Sequence, residues 1–306
     1  MQSLRIVFFG TPEFAVPMLE TLVASTHQVV AVVTAPDKPA GRGMELHQSE
    51  VKLSAIKNQV KILQPEKLKN ETFVQELQSL HADLFVIVAF RMLPEIVWNM
   101  PRLGTINLHA SLLPNYRGAA PINWVIINGE KETGVSTFFL QHEIDTGNII
   151  FQEKVKIESE ETVGTLYKKL MQLGAKVLRK TVDAVAVGEY PETPQAHITE
   201  VKKAPKIFKP DCEIDFNKSA VELHNFVKGL SPYPAAFFKH KGKAIKVFSA
   251  AAEISNHQHA MADLVSDDKT YLKVACKDGF LNLLEVQLEG KKKMNIEEFL
   301  RGFSAN

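Results

Sequence analysis

Short apolar runs rich in β-branched residues alternate with segments of helical periodicity through the first third of the chain. A run that is apolar at every position predicts a strand covered on both faces, as in a parallel sheet. Parallel strands need crossover connections, and the segments 14–23 and 65–80 supply predicted helices for them. The pattern predicts an α/β fold with a mainly parallel sheet and right-handed crossovers, whose strands are 4–9, 27–34, 84–90 and 104–109.

The periodicity changes after Gly134. Two strand-like runs, 135–140 and 149–157, flank a turn and are followed by the segment 162–187, whose apolar residues recur at helical spacing. A long helix over this segment would close the first domain. We therefore predict a first domain of residues 1–189.

Prolines recur through the segment 190–210, where they favour an extended connection between domains. Beyond it, the chain carries only short β-rich runs, which predict a small β-barrel in residues 211–306. The clearest of these runs are 244–248, 271–276 and 280–286.

Charge is balanced along the 306 residues, since 36 Lys and Arg face 35 Asp and Glu. The chain thus lacks the overall basic bias of many nucleic-acid binders, and any RNA affinity has to come from local patches. The run 84–90 is far too short to span a bilayer, and the two cysteines show no metal-binding or redox spacing. We expect a cytoplasmic protein with neither a membrane nor DNA as its partner.

Two common classes of α/β ligand site are missing from the sequence. Gly10 follows the first predicted strand alone, without the G-x-G-x-x-G pattern that binds dinucleotides. The chain also has no Walker A lysine loop and no His/Cys cluster at metal-ligand spacing. We therefore expect neither a bound dinucleotide nor a metal.

Asn107 and His109 end the fourth predicted strand, and Asp145 follows a later one. Residues two apart in a strand project from the same face, about 6–7 Å apart along the chain. An open α/β sheet places its ligand chemistry at the carboxyl ends of its strands. These three residues form a candidate catalytic group. Each also has an ordinary structural interpretation, because Asn and Asp form turns and a single His is often structural.

The surroundings of this candidate group resemble the folate-dependent formyltransferases. Asn107, His109 and Asp145 fall where that family carries its Asn, His and Asp, and the sequences SLLP (111–114) and RGAAP (117–121) are similar to its active-site loop. The resemblance implies a Rossmann-like first domain that uses 10-formyltetrahydrofolate as formyl donor and needs no metal. The implied folate-binding residues are Phe90, Arg91, Met92, Leu93, Ser111, Leu112, Leu113 and Pro114.

Other segments resemble the members of this family that formylate methionyl initiator tRNA. The loop 36–43 is similar to the one that these enzymes insert at the acceptor stem, with Arg42 as its key basic residue. Segments 204–216 and 231–234 resemble the start of their OB-like C-terminal domain. The resemblance implies methionyl initiator tRNA as the partner, with tRNA-binding residues Arg42, Lys38, Lys206, Lys239, Lys241 and Lys243.

Three alternatives stay open at this stage. The same Asn-His-Asp chemistry serves formyltransferases that act on a small amine, such as a sugar nucleotide or glycinamide ribonucleotide, although a small substrate needs neither the 36–43 loop nor the last hundred residues. A formyltetrahydrofolate hydrolase would deliver the formyl group to water. A non-catalytic RNA-binding protein would not need the three candidate residues together.

Overall fold

A computed structural model describes residues 3–40, 45–143, 145–196 and 199–303, which fall into two compact units. The first unit comprises Met1–Arg117, Gly134–Val155 and Tyr167–Lys203. The second comprises Gly118–Thr133, Lys156–Leu166 and Ala204–Asn306. Both units are thus discontinuous in sequence. The predicted domain limits at 189, 190–210 and 211 remain a prediction about functional domains.

Seventeen strands are present in the described part of the chain. In the first two thirds they are β1 (Arg5–Gly10), β2 (Gln28–Val33), β3 (Lys38–Ala40), β4 (Glu45–His47), β5 (Ile62–Leu63), β6 (Leu84–Val88), β7 (Thr105–His109), β8 (Arg117–Gly118), β9 (Glu132–Phe139) and β10 (Ile149–Lys156). The others are β11 (Lys203–Ala204), β12 (Ala236–His240), β13 (Lys243–Ile254), β14 (Leu264–Ser266), β15 (Leu272–Cys276), β16 (Gly279–Leu288) and β17 (Met294–Asn295).

Eight α-helices accompany these strands within the described residues. They are α1 (Val16–Val23), α2 (Glu50–Lys57), α3 (Glu71–Ser79), α4 (Glu95–Trp98), α5 (Pro121–Ile127), α6 (Val163–Val187), α7 (Ala220–Leu230) and α8 (Ile296–Leu300). Over the same described ranges, no helix combines the length and the apolarity needed to cross a bilayer.

The central sheet of the first unit has seven strands in the order β10-β9-β7-β6-β1-β2-β5. Strand β1 pairs in parallel with β2 and β6, β6 pairs in parallel with β7, and β2 with β5. Strand β7 pairs with β9 in the antiparallel direction. This confirms the predicted mainly parallel α/β fold. All five residues of β6 are buried, as expected for a strand covered on both faces.

The second predicted crossover helix, 65–80, begins later than the sequence suggested. Helix α3 starts at Glu71, so the predicted start at residue 65 is wrong. The side chain of Asn70 accepts a hydrogen bond of 3.1 Å from the backbone N–H of Phe73 and caps the helix. Leu68, ahead of the cap, is buried, and it supplied the apolar spacing that imitated a helical turn.

Helix α6 covers the sheet beside β7. At Gly174, an added Cβ would lie 2.3 Å from Cε of Met18 and 3.3 Å from a methyl group of Leu108. The missing side chain therefore lets this part of α6 approach the sheet closely. Leu108 is 3% exposed, so its side chain packs inward while its neighbours in β7 are left to the other face.

The second unit is built on an antiparallel sheet with the order β12-β13-β16-β15-β14, and β17 pairs with β16. Its long strands β13 and β16 shift register twice, which curls the sheet into a half-barrel. Helix α7 buries Leu223, Val227 and Leu230 in the same core as Val247 and Leu281. The predicted β-rich C-terminal module is confirmed as this curled half-barrel.

Candidate active site

Strand β7 places the candidate residues Asn107 and His109 at the carboxyl end of the parallel sheet. Asn107 lies between Ile87 of β6 and Phe138 of β9, and His109 pairs with Ser136 of β9. Because Asn107 and His109 are two residues apart in a strand, they share one face. The structure thus brings both predicted residues to one place.

The side-chain amide of Asn107 is half-exposed and, within the described ranges, has no protein hydrogen-bond partner. Polar groups in folded proteins are usually paired with the protein or with water. An amide offers two N–H donors and one carbonyl acceptor. Asn107 therefore keeps its full hydrogen-bonding capacity for a ligand.

His109 is nearly buried and held in one orientation. It is 7% exposed, and its Nε2 lies 2.8 Å from the backbone carbonyl oxygen of Tyr116. A carbonyl oxygen only accepts, so Nε2 carries the proton and donates it to this bond. The other ring nitrogen, Nδ1, lies 3.9 Å from Oδ2 of Asp145. The imidazole thus presents Nδ1 to the acid and to the site.

Asp145 completes the group from the turn after β9. Its side chain is 11% exposed, and its backbone has a φ of 55°. Two further residues next to the site also have positive φ, namely Ala89 with 48° and Tyr116 with 62°. Left-handed backbone at non-glycine residues is uncommon and concentrates at functional sites. Asp145 therefore lies beside His109, on left-handed backbone.

The turn that carries Asp145 is clamped against the sheet. An added Cβ at Gly147 would lie 1.7 Å from the backbone oxygen of Phe139, so only glycine fits this approach. A second contact holds the same turn: Nε2 of Gln195 donates to the backbone oxygens of Asp145 at 2.7 Å and Gly147 at 2.9 Å. Sequence reasoning did not identify Gln195, a single polar residue in a proline-rich segment.

The segment 111–114, predicted to bind folate, is tied to β9 and β10. The hydroxyl of Ser136 donates to the Ser111 carbonyl at 2.6 Å and accepts from the Leu113 N–H at 3.1 Å. Gln152 donates to the Leu113 carbonyl at 2.9 Å, and Ser111 Oγ donates to the Asn115 carbonyl at 2.7 Å. Ser111, Leu113 and Pro114 are buried and Leu112 is half-buried. A role for this segment in folate binding stays a prediction.

One residue, Ala89, separates the segment 90–93 from β6, whose end pairs with the end of β7. Its backbone N–H and carbonyl groups make no hydrogen bonds to the part of the chain that the structure describes. Leu93 is a core residue, 6% exposed, whereas Met92 is 72% exposed. The guanidinium of Arg91 donates to the carbonyl oxygens of Pro65 and Glu66, which anchors the segment. Phe90 packs edge-on against Phe9, with ring centroids 5.7 Å apart.

The predicted tRNA-binding residues lie in different parts of the fold. Arg42 is outside the described residues, and Lys38 is exposed in β3. In the second unit, Lys239 and Lys243 belong to the hairpin of β12 and β13, and Lys241 to its turn. Lys239 forms an exposed ion pair of 3.2 Å with Glu213. Lys206 extends over the ring of Phe208.

Within the described ranges, no group of three His, Cys, Asp or Glu side chains is arranged to hold a metal ion. The two cysteines are buried, and burial raises the pKa of both thiols. Protonated thiols are weak nucleophiles and poor metal ligands.

Comparison with known proteins agrees with this geometry. Residues 4–182 match the formyl transferase family, and residues 206–304 match the formyl transferase C-terminal domain. The chain therefore belongs to the formyl transferase family.

Within that family, curated methionyl-tRNA formyltransferases match the chain over nearly its full length. Those of Bacteroides fragilis and Parabacteroides distasonis are 51% and 52% identical to it, and each alignment covers 99% of this chain and 96% of the relative. Among solved structures, the sugar 3N-formyl transferase WlaRD, determined in the presence of dTDP and 5-N-formyl-THF, has the same fold. Its TM-score is 0.67 at 20% identity, with coverage of 95% of this chain and 100% of that one.

Proposed function

We propose that this chain transfers the formyl group of 10-formyltetrahydrofolate to the α-amino group of methionyl initiator tRNA. The observation that carries the proposal is the grouping at the end of β7 of an Asn107 amide that the described residues leave without a partner, an oriented His109, and Asp145. Curated relatives that are 51% and 52% identical to this chain, over nearly its full length, are named for this reaction. The tRNA substrate accounts for the predicted cytoplasmic location.

The reaction is an acyl transfer from one nitrogen to another. The amine of methionine forms a new C–N bond with the formyl carbon, the bond from that carbon to N10 of the folate breaks, and one proton passes from the amine to N10. Negative charge develops on the formyl oxygen in the transition state. A donor aimed at such an oxygen contributes about 3–4 kcal/mol where this has been measured.

The Asn107 amide supplies that donor in this proposal, because it is the half-exposed polar group that the described residues leave unpaired. His109 adds a second donor through Nδ1, since its Nε2 is occupied by the Tyr116 carbonyl. Asp145 faces Nδ1, where its carboxylate stabilises the imidazolium. The same carboxylate relays the proton from the methionine amine to N10 of the folate. These roles need no covalent enzyme intermediate.

The folate donor supplies an activated formyl group, and the proposal places its pterin ring against the segment 90–93. The unpaired backbone groups of this segment are donors and acceptors, as a pterin edge requires. The partly buried ring of Phe90 adds an apolar face. Support also comes from WlaRD, a family neighbour solved with 5-N-formyl-THF.

An acceptor panel tests the proposed reaction. The chain is incubated with 10-formyltetrahydrofolate and one acceptor at a time: methionyl initiator tRNA, methionyl elongator tRNA, a sugar nucleotide amine or glycinamide ribonucleotide. We expect formylation of the initiator tRNA with the highest kcat/KM. Preferential formylation of a small amine, or release of formate without any acceptor, would assign the chain to another reaction.

Arg42 and the hairpin lysines should have separable effects on tRNA. Exposed lysines act mainly on phosphate charge, so changing Lys239, Lys241 and Lys243 to Gln should weaken initiator and elongator binding alike. The dependence of log K on log salt should fall by about 0.7–0.9 per lost phosphate contact. Arg42→Ala should instead reduce the preference for the initiator.

The matched control for charge replaces three exposed lysines of the first unit by Gln, namely Lys57, Lys168 and Lys176. It removes the same net charge and should change the salt dependence less than the hairpin variant does. An unchanged ratio of initiator to elongator formylation in Arg42→Ala would place selection elsewhere in the chain.

A further inference from the structure

Gln195 joins two loops of the candidate active site. Its Nε2 donates to the backbone oxygens of Asp145 and Gly147, and its Oε1 accepts from Nη2 of Arg117. Both N–H bonds of the amide and its carbonyl are therefore used within the first unit. Because every hydrogen-bonding position of this amide is occupied, Gln195 links the Asp145 turn to Arg117 in a defined geometry.

The orientation of this amide follows from its partners. Two carbonyl oxygens face one end of the side chain, and carbonyl oxygens only accept, so that end is the NH₂ group. The other end faces the guanidinium of Arg117, which only donates. The alternative orientation would set oxygen against two oxygens and nitrogen against a cation. Arg117 thus selects the orientation in which Gln195 donates its hydrogen bonds to the Asp145 turn.

Lys202, seven residues after Gln195, holds the loop that orients His109. Arg117 directly follows Tyr116, whose carbonyl accepts from the imidazole. The Tyr116 N–H donates to the Lys202 carbonyl, and the Lys202 N–H donates to the Asn115 side chain at 3.1 Å. Both halves of the His-Asp pair are therefore supported, one by Gln195 and the other by Lys202.

A backbone bridge fixes this segment to the sheet. Ile149 of β10 donates to the Thr193 carbonyl at 2.8 Å, and the Thr193 N–H donates back to Ile149 at 3.0 Å. The ring of Tyr190 packs on Phe139 with centroids 5.5 Å apart. Gln195 thus extends from a stretch of backbone that is paired with β10 two residues earlier, at Thr193.

From these contacts we infer that Gln195 is a positioning residue, which sets the distance between His109 and Asp145 and is itself oriented by Arg117. The inference rests on the proposed function, in which these two residues act as a pair. Their Nδ1 to Oδ2 distance of 3.9 Å is longer than a hydrogen bond, so a small shift of the turn decides whether they engage. A displacement of about 1 Å can cost on the order of 10²-fold in rate.

The test replaces Gln195 by Glu, which keeps the size and the Arg117 contact but loses both donors. We expect kcat for methionyl initiator tRNA to fall by about 10- to 100-fold, while KM for either substrate and Tm stay near those of the unchanged protein. Glu192→Gln, at an exposed position in the same segment, is the matched control and should leave kcat unchanged.

A double-mutant cycle with Asp145→Asn separates positioning from a general structural role. If Gln195 acts through Asp145, then Gln195→Glu should cause no further loss of kcat in the Asp145→Asn background. Losses that multiply, together with a lowered Tm, would overturn the inference, as would a wild-type kcat in Gln195→Glu. Should Gln195→Glu fail to fold, Gln195→Met removes the donors without adding a charge and is carried through the same cycle.

The cycle also tells this inference apart from the proposed function. A fully active Asp145→Asn variant would mean that the role proposed for Asp145 itself is wrong. An inactive Asp145→Asn variant beside an unimpaired Gln195→Glu variant would leave the proposed function intact and remove only the positioning role of Gln195.

Discussion

Replacement of Asp145 by Asn is expected to lower kcat for formylation of methionyl initiator tRNA by about 10²- to 10⁴-fold, the usual contribution of a positioned acid or base. The amide has the size of the carboxylate, but it neither stabilises an imidazolium at His109 Nδ1 nor accepts the proton of the attacking amine. Single-turnover formylation at saturating folate measures this step directly. Binding of both substrates should change little.

Asp145→Asn is expected to keep a normal Tm, because the turn is held by backbone contacts with Gln195 and by the close approach of Gly147 to Phe139. Glu143→Gln, an exposed change of the same kind in the same turn, is the control and should be fully active. Near wild-type turnover in Asp145→Asn would show that the proton follows another path.

Replacement of Asn107 by Ala is expected to reduce kcat by about 10²- to 10³-fold, which is the loss measured when one donor to a developing oxyanion is removed. The interaction forms with the charge on the formyl oxygen, so kcat should fall more than KM rises. Since the Asn107 amide has no protein partner among the described residues, its loss removes no internal hydrogen bond.

The control for Asn107→Ala is Asn99→Ala, at an exposed position after α4. Urea unfolding should place the unfolding free energy of both variants close to that of the unchanged protein. A rise in KM for folate with unchanged kcat in Asn107→Ala would make Asn107 a ground-state binding residue and leave the oxyanion to His109.

The sequence was most informative where burial is most complete. The runs that form β1, β2 and β6 are apolar at most positions because they lie in the covered centre of the sheet, and this pattern predicted their existence and parallel pairing. The start of α3 was predicted too early, since one buried residue, Leu68, continued the helical spacing ahead of the Asn70 cap. Local spacing does not distinguish a helical turn from a buried loop residue.

The candidate catalytic residues were visible in the sequence for a geometric reason. Asn107 and His109 share a strand face by the two-residue period alone, and Asp145 lies in a turn after a neighbouring strand. The support around them was not visible. Gln195 reaches the site through contacts between residues that are 48 or more positions apart in the chain, and no local pattern encodes such contacts. The contact of His109 with the Tyr116 carbonyl could not be predicted, because every residue has a backbone carbonyl and the sequence does not indicate which one a side chain contacts.

The discontinuity of the two units has a consequence for truncated forms of the chain. The chain passes from one unit to the other at five points, after residues 117, 133, 155, 166 and 203. A single cut therefore releases neither unit whole. A fragment that ends at residue 203 still carries 118–133 and 156–166 without the rest of the second unit, so its stability does not report on the first unit alone.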